Sequence, residues 1–112
     1  MSQHDPGVAL RHMLDHAGEA IAMAAGRTRA DLDRDRMLNL ALVRLVEIVG
    51  EAARRVPEPV RAEYPQIPWK QVTGIRSRLI HGYDAVDFDL LWDTVQLDFP
   101  VLLSVLRAKH HP

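Results

Sequence analysis

Cysteine is absent from the 112 residues, which rules out a disulfide framework and thiolate metal ligation and suits a reducing compartment. No apolar run approaches the ~18 residues that a membrane-spanning helix needs. No amino-terminal stretch combines a basic lead, an apolar core and a small-residue cleavage site. Together these absences predict a cytoplasmic protein with no membrane partner. A strong charge of either sign is also lacking. The formal net charge is −1 and the pI about 6.6, so the whole-molecule field does not attract nucleic acid as that of a basic duplex binder does. Convincing metal ligands are missing too. His12 and His16 lie at i, i+4, but no carboxylate completes a known metal motif with them. His110 and His111, beside the terminal proline, read as a solvated tail. No metal and no cofactor is expected.

What is present is enough apolar sequence for one domain with a real core, and too little for two; residues 1–112 are read as a single domain. The charge is unevenly placed. From Arg54 to Tyr83 six bases (Arg54, Arg55, Arg61, Lys70, Arg76, Arg78) face two acids (Glu58, Glu63), a local balance of +4, whereas Asp84 to Asp98 holds five aspartates and no base. A local anion site beside an acidic surface follows. Twelve of the fourteen basic residues are arginine, whose planar fork suits phosphate; a genome rich in G and C would produce the same bias.

Periodicity predicts helices throughout. Asp5-Pro6 reads as a cap followed by proline in the first turn, and Val8, Leu14, Ala17, Ile21 and Ala24 then recur at helical spacing as far as Gly26. A second helix is expected over about 32–55, with Leu38, Leu42, Leu45, Val49 and Ala52 as its stripe. Leu40, Val43, Val46 and Ile48 widen it beyond an ordinary surface helix, so it must be covered on more than one side. Pro57, Pro59, Pro65 and Pro68 leave room for only a short helical turn. A third helix is expected from Pro68 to Gly82, with Trp69, Val72, Ile75 and Leu79 inward. A fourth is expected from Asp87 to Lys109 on Phe88, Leu91, Val95, Leu102 and Leu106, with a kink where Pro100 removes the bond to the Gln96 carbonyl. The expected fold is all-α: an antiparallel up-and-down bundle of four main helices with an extra short turn before the third. The two-sided apolar character of the second and fourth helices favours a homodimer.

Residues 76–83, Arg-Ser-Arg-Leu-Ile-His-Gly-Tyr, put a permanent cation, a histidine able to act as acid or base, and a phenol at one helix end. Arg76 and His81 are about 140° apart on an ideal helix, so they converge only if the helix loosens near Ile80 or a neighbouring copy supplies the missing group. Gly82 suggests such loosening through a left-handed cap, which would leave His81 at the helix carboxyl end. RNA cleavage without a metal requires a base for the 2′-hydroxyl, an acid for the leaving oxygen and cations around the phosphorane. A twofold dimer would bring two histidines and two arginines to one phosphate. The plainer alternative pairs Arg76 with an acid such as Glu51 and has His81 cap carbonyls.

The wider string, Gly74-Ile75-Arg76-Ser77-Arg78-Leu79-Ile80-His81-Gly82-Tyr83 with Val86-Asp87 and Leu91-Trp92, closely resembles the signature of the HepT-like toxins of the HEPN superfamily. Leu45 to Ala53 resembles their second-helix motif, and Pro68-Trp69 the start of their third helix. The resemblance implies a dimeric helical bundle with a metal-independent ribonuclease motif, R-x4-6-H, at the interface. It also implies a toxin neutralised by a small MntA-like nucleotidyltransferase that transfers AMP to the motif tyrosine. The positions that match are Arg76, His81 and Tyr83, with Ser77, Arg78 and Glu51 in support. Ser77 departs from the pattern, which usually has asparagine or another polar residue there. A non-catalytic helical partner that presents substrates to a nucleotidyltransferase is the alternative function.

Overall fold

A computed structural model describes residues 5–81 and 85–110, all of whose regular elements are helical. Gly82, Tyr83 and His111 lie outside the described residues. The first helix, α1 (Pro6–Ala24), begins where the Asp5 carboxylate accepts from Gly7 N at 2.8 Å and Pro6 occupies the first turn. Its buried stripe is Ala9, Leu10, Met13, Ala17, Ala20 and Ala24. Val8, expected in that stripe, is half exposed (51%), because the alanines and Met13 turn the inward face away from it. Gly26 takes a left-handed φ of 75° that lets the chain leave the helix.

A one-turn helix, α2 (Asp31–Arg34), precedes α3 (Arg36–Arg54), so the expected second helix is divided at Asp35. Asp35 is extended (ψ 96°) and its carboxylate accepts from Leu38 N, which makes it the cap of a new helix instead of an interior residue. The stripe Leu38, Leu42, Leu45, Val49 and Ala52 is buried. The α3 helix packs against α1 on one side and against the later helices on another, which is the two-sided cover that its composition demands. Leu40 and Met37, at its beginning, remain exposed.

The short turn among the prolines is α4 (Glu58–Arg61). Arg61 donates through Nε to Val56 O at 2.8 Å and lies over the Trp69 ring at 5.6 Å. It therefore closes off the end of α3 and is no part of an open basic patch. The expected third helix is two pieces, α5 (Trp69–Thr73) and α6 (Ile75–Leu79), jointed at Gly74. Thr73 Oγ1 donates back to Trp69 O at 2.7 Å, a bond that competes with the regular ladder.

The last helical stretch runs as α7 (Phe88–Asp93), a wide π turn (Thr94–Asp98) and α8 (Phe99–His110). The disturbance expected at Pro100 takes this form: Phe99 N bonds to Thr94 O, five residues back, and the extra residue makes room for a proline ring that would otherwise meet the Gln96 carbonyl. Leu91, Val95, Phe99, Leu102 and Leu106 are buried against α1 and α3. No described helix is long and apolar enough to cross a membrane.

Candidate active site

The inner face of α6 is Ile75 and Leu79, both buried, so the three residues between them on the outer side, Arg76, Ser77 and Arg78, face solvent. The helix stops at Leu79, earlier than the sequence predicted. Ile80 is extended (φ −103°, ψ 115°) and forms an isolated antiparallel bridge with Val86. His81 N donates to Ala85 O at 2.7 Å, and Asp87 N to Leu79 O at 2.8 Å. A β-branched residue that must pair with Val86 cannot also continue the helix. His81 is thus exposed on a narrow neck, directly after the capping residue Ile80 and not in the helix itself. The chain does loosen at Ile80, the first of the two conditions under which Arg76 and His81 could converge.

Arg76 forms an ion pair with Glu47 of α3, Nε to Oε2 at 3.6 Å. Glu51, the partner expected from the sequence, is exposed one turn further along α3 and lines the same small cleft of about 60 Å³ with Arg54, Thr73 and Arg76. Sequence reasoning missed Glu47 and Arg54. The signal was available in their spacing, since Glu47, Glu51 and Arg54 fall at i, i+4, i+7 on one side of α3. Arg78 Nη1 reaches the Gln71 carbonyl at 3.5 Å. Its charge also acts on Asp98, whose carboxyl is pushed above the ordinary range, first by burial and then by Asp93, with Arg78 opposing.

The acidic stretch after the neck is partly structural. Asp87 caps α7 by accepting from Leu90 N at 3.0 Å, and Asp89 pairs with Arg29 Nε at 2.7 Å. The other histidine pair behaves as a helix-surface pair: His16 Nδ1 donates to His12 O at 2.8 Å, and the rings meet edge to face. Among the described residues no three His, Cys, Asp or Glu side chains gather as a metal site. Another hollow, of about 680 Å³, lies against the first turns of α1 beside Val8, Arg11 and Leu14, with no residue of α6 in its lining.

A family model described as ribonuclease HepT-like matches residues 13–108, a span that includes the second-helix motif, α6 and the neck. The chain belongs to the ribonuclease HepT-like family. Among its HepT-like relatives, the "Probable ribonuclease HepT" of Thermococcus cleftensis is 37% identical over 93 residues, which cover 80% of this chain and 84% of that one. A protein of Caldanaerobacter subterraneus with a provisional RNase name is 34% identical over 97 residues, 87% of each chain. Another so named in Methanocaldococcus jannaschii is 34% identical over 100 residues, 89% of this chain and 92% of its own. No solved structure matches the chain. The membership agrees with the resemblance carried by the Gly74–Tyr83 string.

Proposed function

We propose that this HepT-like protein is a metal-independent endoribonuclease, the toxin of a type VII toxin–antitoxin system, and that it works as a homodimer. The observation that carries the reading is the exposed ledge of Arg76, Ser77, Arg78 and His81. It sits within the family-matched span and is anchored from beneath by buried Ile75 and Leu79. The imidazole of His81 would take the proton of an RNA 2′-hydroxyl as its oxygen attacks phosphorus. The P–O5′ bond then breaks, and the leaving oxygen collects a proton from the histidine of the second copy. Arg76 and its counterpart would hold the negative oxygens of the phosphorane, where paired guanidinium groups act most strongly.

Exposed Met37 and Leu40 on α3, with Leu97 in the π turn and Val101 just after it, support a second copy, since burying such residues is worth roughly 25 cal/mol per Å². Tyr83 is the proposed site of AMP transfer by a nucleotidyltransferase antitoxin. Its hydroxyl would attack the α-phosphate of ATP and release pyrophosphate. The bulky anion left two residues from His81 would block the ledge and reverse its potential.

Purified protein incubated with RNA in the presence of a chelator tests the reading. His81→Ala and Arg76→Ala should each abolish cleavage with the oligomer retained, and cleavage that survives in both overturns the proposal. RNA lengths left unchanged by the unsubstituted protein would favour the adaptor function instead. Tyr83→Phe should still cut RNA, and intact-mass measurement should find no AMP adduct after incubation with the antitoxin and ATP.

A further inference from the structure

We infer that Glu47 is a positioning residue for Arg76, holding the guanidinium by its Nε edge so that both Nη groups face the substrate phosphate. The inference rests on the ribonuclease reading of the Arg76–His81 ledge and adds a residue to it. The side chain of Arg76 is 77% exposed, and a long stem in that position explores many rotamers unless something restrains it. Glu47, by contrast, is only 18% exposed and comes from the middle of α3. It is therefore the fixed member of the pair. The contact is made at Nε, on the edge away from the terminal fork that binds a phosphate bidentately.

Two further features fix the carboxylate. Its other oxygen, Oε1, lies 3.9 Å from Arg44 Nη1, so Glu47 bridges two arginines. One turn on, Gly50 allows α3 to approach the α5–α6 joint so closely that a Cβ there would sit 2.7 Å from Ile75 Cγ2 and 3.1 Å from Val72 O. The distance between the Glu47 backbone and Arg76 is thus set by packing, not by the ion pair itself. Arg44, Arg54 and Arg76 against Glu47 and Glu51 leave this cluster at +1, still attractive to a phosphate.

This arrangement separates two effects that a merely structural glutamate would not. Glu47→Gln keeps the shape and raises the cluster to +2, so ground-state attraction for RNA does not weaken. The guanidinium loses its orientation, and that loss falls on the transition state. Steady-state kinetics of the full chain on a short fluorescent oligoribonucleotide should show kcat falling about tenfold while KM stays the same or drops. In an Arg76→Lys background, where no Nε edge exists to be held, Glu47→Gln should change kcat less than about twofold. An unchanged kcat in Glu47→Gln, or a raised KM with kcat intact, overturns the inference. If Glu47→Gln does not fold, as judged by circular dichroism, the same kcat-against-KM split read in Glu47→Asp decides. Arg76→Ala distinguishes the two levels. A fully active Arg76→Ala defeats the ribonuclease reading itself, whereas an inactive Arg76→Ala beside a normal Glu47→Gln defeats only the role of Glu47.

Discussion

Gly50 of α3 meets Ile75 of α6 so closely that a methyl group on Gly50 would lie 2.7 Å from Ile75 Cγ2. Ile75 is buried and branched at Cβ, so the atom in the way is not the free end of a flexible chain. The Val72 carbonyl, at 3.1 Å, closes the other side. Alanine normally gains about 1 kcal/mol over glycine inside a helix, but overpacking a tight contact costs about 1–3 kcal/mol. Gly50→Ala should therefore be destabilising by up to about 2 kcal/mol, read as a lower denaturation midpoint in urea. It should also lower cleavage, because the shift falls on the α3–α6 spacing that carries Glu47 and Arg76. A variant as stable as the parent would mean that the contact yields easily.

Much of this fold was legible because helical periodicity is a long-range signal. The stripes of α3 and of the last helical stretch, α7 to α8, were read correctly from Leu38 to Ala52 and from Leu91 to Leu106. What escaped were local choices decided by a single bond. Asp35 divides the second helix by capping the next one, and Thr73 with Gly74 joints the third. Ile80 gives up the helix to bridge Val86, six residues away. At the candidate site, Arg76 and His81 were recognisable as residue types in a string. Their environment was not, because the choice between Glu47 and Glu51 as partner depends on how far α6 is shifted along α3. That shift is set by Gly50, where the missing side chain lets Ile75 and the Val72 carbonyl come close to α3.

Asp31 anchors the turn between α1 and α3. Its carboxylate accepts from Thr28 N at 2.8 Å and meets Arg34 at 3.1 Å and Arg27 at 3.3 Å. The backbone bond from Thr28 first, then Arg34, lowers its pKa from 3.8 to about 2. A carboxyl whose folded pKa is depressed contributes stability above its unfolded value and loses that contribution as pH falls through the folded one. Asp31→Asn should accordingly lower the thermal midpoint at pH 6. The gap between variant and parent should close as the pH falls from about 3.8 to about 2. A gap that stays constant over that window would show that the charge on Asp31 contributes nothing.

Asp98 presents the opposite sign. Burial raises its pKa, Arg78 pulls it down and Asp93 pushes it up again, with the net shift upward from 3.8. The folded state therefore holds the protonated carboxyl more readily than the unfolded chain does. At neutral pH, where Asp98 is ionised in both, its charge is a cost to folding, and the cost disappears as pH drops below the unfolded value. Asp98→Asn keeps the shape of the side chain and removes that charge. It should raise the thermal midpoint at pH 7 and leave it unchanged near pH 3. The same substitution frees Arg78 from an opposing charge on the ledge that carries Arg76, so RNA should bind more tightly, with a steeper dependence on salt. Midpoints at the two pH values and a salt titration of RNA affinity together check both halves of the expectation. A stability gain present equally at both pH values would assign the effect to packing in the π turn instead of to charge.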